Sequence, residues 1–102
     1  MTAALLRPRA EADLVENTRH FRTVGGDLLG ERFFTAALAA LRKIERAPGI
    51  GSPRIGDLCG VPGLRSWPFK GFSVRWYYLI TDDHLDVVRL LADTQDLIAL
   101  LQ

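Results

Sequence analysis

Apolar and other positions alternate with a period of two along residues 72–81. Phe72, Val74, Trp76, Tyr78 and Ile80 share one parity; Ser73, Arg75, Tyr77, Leu79 and Thr81 share the other. That alternation predicts a strand whose first set faces a core. The run LDVVRLL at 85–91 is apolar on both parities, as in a central strand. Thr81-Asp82-Asp83-His84 supplies a turn between the two, and GLRSWPF at 63–69 opens the meander. Upstream the period changes to that of a helix. Leu14, Val15, Thr18, Phe21 and Val24 form one stripe; Phe34, Ala37, Leu38, Leu41 and Ile44 form a second, widened by Phe33, Ala36 and Ala40.

The punctuation fits these periods. Pro8 suits a first helical turn, and Glu11, Asp13 and Glu16 complement its positive end. Gly25-Gly26 ends the first helix, Asp27 is placed to cap the second, and Pro48-Gly49 stops it. Residues 3–6, AALL, read as a short first strand. Residues 48–63 hold three Pro and five Gly and read as a long loop. Asp93, with Asp96, is placed to cap a short last helix whose apolar part is Leu97, Ile98, Leu100 and Leu101.

The expected architecture is a single α+β domain over residues 1–102. It has an N-terminal strand, an antiparallel helical hairpin packed on an antiparallel β-sheet, and a short C-terminal helix. A hairpin covers one face of a sheet. Tyr77, Leu79 and one side of strand 85–91 therefore need other cover, expected from a partner's amphipathic segment together with the C-terminal helix.

Bulk properties exclude more than they assign. Apolar residues make up 48% and charged residues 25%, which is ordinary for a globular chain. A net charge of +1 creates no field that would draw nucleic acid or an anionic membrane. The one cysteine, Cys59, supports neither an internal disulfide nor a zinc cluster, and its neighbours suit a packing thiol. No apolar run reaches the ~20 residues of a membrane span, and no export segment is read at the N-terminus. A cytoplasmic chain is expected.

The meander carries Arg65, Lys70, Arg75 and Arg89. Arg65 shares parity with Trp67 and Phe69, which gives either an Arg–Trp docking patch or a guanidinium stacked on indole. Arg75 lies on the non-core parity beside Tyr77, a solvated or partner-paired position. Arg89 sits inside an apolar strand and requires a carboxylate; Asp86 is on the opposite parity, so the partner lies elsewhere in the chain or on another one. Lys70 precedes Gly71 at a turn and reads as a surface lysine. His20 is four residues after Glu16, the spacing of a surface pair. His84 with Asp82 and Asp83 lacks the further ligands a metal site requires.

Certain segments in order resemble a known family. RPRAEADL opens the first helix, APGIGSPR follows the second, GLRSWPF opens the meander, and DHLDVVRLL runs into an Asp-containing tail. The combination resembles the RelE/ParE superfamily of bacterial toxins, closest to the ParE branch, over essentially the whole chain. The resemblance implies the toxin of a type II toxin–antitoxin pair that poisons DNA gyrase by binding, without cofactor or metal. It implies a ParD-like ribbon-helix-helix antitoxin as partner, operator DNA reached only through that antitoxin, and no membrane. The RelE branch instead cleaves mRNA on the ribosome, and a third reading is a non-toxic antitoxin-binding module.

Two departures stand out. Many relatives carry a His-Gly/Gln-x-x-Asp tail where this chain reads LADTQD, and Arg7 stands where a capping Ser is common. Metal-free RNA cleavage needs a base, a cation for the phosphorane charge and an acid. After the last strand this chain offers Asp93, Thr94, Gln95 and Asp96, with two carboxylates that repel a phosphodiester. No catalytic residue is therefore assigned. The residues expected to bind target or antitoxin are Arg65, Trp67, Arg75, Tyr77, Arg89, Asp93, Leu97 and Leu101.

Overall fold

The computed structural model describes residues 2–101. Strand β1 (Ala4–Leu6) leads into a helical segment, α1 (Pro8–Arg46), then a single 3-10 turn (Pro48–Ile50) and α2 (Arg54–Leu58). Strands β2 (Arg65–Phe69), β3 (Phe72–Ile80) and β4 (Leu85–Ala92) follow, and α3 (Leu97–Leu101) closes the described chain.

Gly26, at φ 85° and ψ 177°, breaks α1 into two arms. Such a φ suits glycine, which has no Cβ to clash. The arms double back on each other. Phe21 of the first stacks on Phe33 of the second at 4.8 Å between ring centroids. A Cβ added to Gly30 would stand 3.1 Å from the Arg22 Cβ, so a glycine there lets the arms cross closely. The expected hairpin is present, with a turn reduced to one non-helical residue. Asp27 caps no amide; its carboxylate stands 3.7 Å from Arg22.

The sheet order is β1-β4-β3-β2. The meander is antiparallel as expected, but β1 runs parallel to β4, so the sheet is mixed. The parallel pairing follows from the connection. The hairpin carries the chain from β1 to β2 at the opposite edge, and the meander steps back through β3 to β4, which lies beside β1 and runs in the same direction.

The hairpin covers one face. Its inward residues Ala10, Phe33, Ala37, Ala40, Leu41 and Ile44 pack with Phe69, Val74, Trp76, Tyr78, Leu85, Val87 and Leu90. Phe33, rather than the expected Phe34, takes the core position; Phe34 stays 42% exposed. Aromatic rings line this core, with Phe33 against Phe21, Phe69 and Phe72. The expected parity of β3 holds at Phe72, Val74, Trp76 and Tyr78 but fails at Ile80, which is 48% exposed at the strand end.

The other face is covered by the chain itself. Cys59, Leu64, Tyr77, Leu91 and Leu101 form a second cluster, with Ile55, Val61, Leu97 and Leu100 packed around it. The expected cover from the C-terminal helix is present, and α2 covers surface that was expected to need a partner's segment. The long loop folds α2 onto the sheet, and α3 packs beside it. A bulge at Val88 lets the register slip between Tyr77 opposite Arg89 and Tyr78 opposite Val87.

Candidate protein-docking surfaces

The expected binding residues divide between the two faces of the sheet. Arg65 and Trp67 lie on the hairpin side. Arg75, Tyr77, Asp93, Leu97 and Leu101 lie on the side covered by α2 and α3. Arg89 bridges the layers at the β4 edge.

Arg65 donates from Nη1 to the carbonyls of Gly51 (2.7 Å) and Gly49 (3.3 Å). It thus fixes the 3-10 turn against β2. Next to it, Tyr78 donates to the Pro48 carbonyl at 2.6 Å and accepts from the Gly51 amide at 2.9 Å. The tyrosine ring leaves no room for a Cβ at position 51, so the glycine is a steric requirement.

Tyr77 was expected on an open face and is fully buried. Its hydroxyl has no hydrogen-bond partner among the described residues. Burial pushes the phenol up to about 12, with Arg75 opposing the shift. Arg75 stands over the same face, 3.6 Å from the Asp93 carboxylate and 3.3 Å from the Ser66 hydroxyl. Asp93 therefore pairs with Arg75, while the cap of α3 is Asp96, whose Oδ1 accepts the Ala99 amide at 3.2 Å.

Arg89 finds its carboxylate within the chain. Asp13 accepts from Nε at 2.7 Å and from Nη2 at 3.0 Å, and its Oδ2 also takes the Leu90 amide at 3.0 Å. Both side chains are about nine-tenths buried. β1 pairs β4 only as far as Val87, so the β4 edge is open beyond that point, and Asp13 satisfies it. The bulge at Val88 brings Asp86, opposite Leu79, onto the same sheet face as Arg89, opposite Tyr77, contrary to the expected parity, yet Asp86 binds Arg7 instead, through two contacts of 2.7 and 2.9 Å. The Arg7 hydrogen bond holds the Asp86 carboxyl below its ordinary value. Arg7, which lacks the hydroxyl of a good cap, is thereby used as a tether between α1 and β4. Asp13 was missed as Arg89's partner. The available signal was a carboxylate at an inward helical position, one turn from Ala10 and Asn17.

Trp67 lines an apolar groove of about 690 Å³ between the second arm of α1 and β2. Ala36 and Ala39 contribute to its wall, and Arg32, Lys43 and Lys70 bring cations against the single carboxylate of Glu31. Strand addition beside it is closed off. Ser52 already exchanges both backbone hydrogen bonds with Ser66 on the outer edge of β2. Pro68, the next residue with that orientation, has no N–H to offer. On the other sheet edge, the Ala4 amide is taken by the Glu45 carboxylate at 2.8 Å.

The remaining candidates are structural. His20 lies edge-on to Phe21 and forms no pair with Glu16. His84 Nδ1 sits 2.6 Å from Asp83 and 3.0 Å from Thr81, locking the turn. Cys59 is buried in the second cluster. Among the described residues no group of three or more His, Cys, Asp or Glu is arranged to hold a metal, and no helix is long and apolar enough to cross a membrane.

This fold is found in a solved structure of the chromosomal ParDE toxin–antitoxin system from P. aeruginosa. The TM-score is 0.77 at 16% identity, over 90% of this chain and 96% of that one. Strand, helical hairpin, sheet and C-terminal helix are thus the α+β, ParE-like arrangement that the sequence resemblance implied. No family model matches the chain, and no curated protein matches it.

Proposed function

We propose that the chain is a cytoplasmic, ParE-like toxin of a type II toxin–antitoxin system, acting on DNA gyrase by binding and neutralised by a ParD-like antitoxin. The observation that carries this reading is the fold likeness to the ParDE system over nine-tenths of the chain. In this reading operator DNA is reached only through the antitoxin, and no cofactor takes part.

The side-chain arrangement supports binding over covalent chemistry. A phosphodiester cleaved on the α2/α3 face would need an accessible base and unpaired cations. There the tyrosine is buried and Arg75 faces Asp93. The accessible features are instead those of an interface. The groove at Trp67 is apolar, rimmed by cations and bounded by a blocked strand edge, so it fits an amphipathic helix with acidic flanks better than an added strand. We assign antitoxin docking to this groove. Arg65, Trp67, Arg75, Asp93 and Leu97 are the expected residues with surface to offer. Tyr77, Arg89 and Leu101 act by shaping the two faces.

Induction of the chain alone in a bacterial host tests this reading. The expected result is growth arrest with an induced DNA-damage response, relieved by co-expressing the antitoxin. Arrest accompanied by mRNA fragments and no DNA damage would replace it with ribosome-dependent RNA cleavage. Undisturbed growth would leave an antitoxin-binding module.

A further inference from the structure

A second opening lies between the arms of α1, and no strand residue lines it. Its volume is about 190 Å³, and its walls are Leu14, Val15, Thr18, Arg19, Arg22 and Phe34. Val15 is 54% and Phe34 42% exposed. Phe34 is there because Phe33 fills the core, so an aromatic ring points outward with no core to serve. The lining holds two guanidinium groups and no carboxylate. The one ion pair either makes is the 3.7 Å contact of Arg22 with Asp27, whose side chains are both largely exposed; Arg19 has none among the described residues.

We infer that this opening is a docking point for an acidic protein segment that inserts one apolar side chain. The volume falls short of the roughly 300 Å³ at which small-molecule pockets begin, and it suits a single anchor. Nucleic acid is a poor fit. The chain carries a net charge of +1, and two arginines do not make the roughly 6–10 phosphate contacts of a typical nucleic-acid interface. Arginine and aromatic residues together are the composition of a protein interface core. A second copy docked patch to patch would set its own Arg19 and Arg22 against these two, and any other second-copy contact would present a different surface, such as Asp57-Leu58, where Leu58 is 73% exposed. The latter contact is head-to-tail and builds rings or filaments rather than a two-fold dimer. The site is separate from the Trp67 groove and shares no lining residue with it. It rests on the reading that this chain works by docking onto proteins, but its test does not involve toxicity.

The test is an amide NMR titration of the intact chain with three synthetic octapeptides. The first has one central Phe among Asp and Glu. The second replaces that Phe with Ala, and the third replaces the acids with Lys. The expected result is saturable shifts at Val15, Thr18, Arg19, Arg22 and Phe34 with the first peptide. Affinity falls tenfold or more with the second, and binding is lost with the third. Phe34→Ser and the Arg19→Gln, Arg22→Gln pair abolish the shifts while thermal unfolding stays within a few degrees of wild type. Shifts centred on Trp67, equal response to the Lys peptide, or no response at millimolar peptide would overturn the proposal. So would concentration-dependent self-association that Phe34→Ser relieves, since the occupant would then be a second copy. Growth arrest without peptide binding would leave the toxin reading standing and remove this site alone.

Discussion

Tyr77 and Tyr78 are neighbours in β3, both fully buried, and their hydroxyls meet opposite fates. Tyr78 points toward the hairpin, where its hydroxyl bonds Pro48 and Gly51. Tyr77 points toward α2 and α3, and its hydroxyl bonds nothing among the described residues. The contrast runs through both faces. The hairpin side has a continuous aromatic core, and Trp76 donates to the Ala37 carbonyl at 3.0 Å. The other side is covered by two helices of five residues each. A buried hydroxyl without a partner loses its hydration and gains no bond in return. One face is thus the stable foundation, and the other is closed by a thin cap. Adjacent residues of one strand thus belong to two independent packing problems.

The largest effects are expected on the foundation. Phe33→Ala should cost about 3–5 kcal/mol, against about 2 kcal/mol for Leu101→Ala, where the cap can settle into the gap. Urea unfolding of both variants checks this, and equal losses would mean the cap is no thinner than the core. Asp13→Ala should cost about 3–5 kcal/mol, because it leaves the Arg89 guanidinium buried and unpaired. Replacing both partners together, Asp13→Leu with Arg89→Met, should restore most of that loss. A double variant as unstable as the single one would show that the pair's geometry, rather than the stranded charge, matters.

Tyr78→Phe removes the partner of two backbone groups and should cost about 1–3 kcal/mol; Tyr77→Phe removes an unsatisfied hydroxyl and should be neutral or stabilising. Similar losses at both positions, read by thermal unfolding, would break the contrast. The smallest effect belongs to the Arg7–Asp86 tether. Asp86→Asn should cost about 1 kcal/mol or less at pH 7, since Arg7 is half exposed. Asp86 is depressed in the folded state, chiefly by the hydrogen bond from Arg7. Its contribution is therefore complete above the unfolded value near ~4 and is lost as pH falls through the lower folded value. The gap between wild type and Asp86→Asn closes in acid, and a gap that widened there would contradict the tether.

Much of this architecture was legible because it rests on local rules. Gly25-Gly26 marked the hairpin turn, and the alternation at 72–80 separated the two faces of β3. What failed depended on contacts distant in sequence. Phe33 and Phe34 are equivalent to a helical pattern until the crossing of the arms selects one of them. Arg89 needed a carboxylate, and its partner lies 76 residues away on a helix. The cap over Tyr77 came from a segment rich in Gly and Pro, whose composition reads as loop although Arg54–Leu58 is helical. Of the proposed docking residues, Trp67 was legible as an aromatic on a strand. The groove beside it was not, because Ala36, Ala39 and Lys43 become its wall only when the second arm lies along β2.

The most direct measurement of the central claim is a cleavage assay with purified gyrase and supercoiled plasmid, with and without this chain, scoring linear DNA after protein removal. Linear DNA is expected to accumulate only when gyrase and the chain are both present, and antitoxin added beforehand should suppress it. Gyrase unaffected at a large excess of the chain would contradict the claim, and so would plasmid or RNA cut by the chain alone.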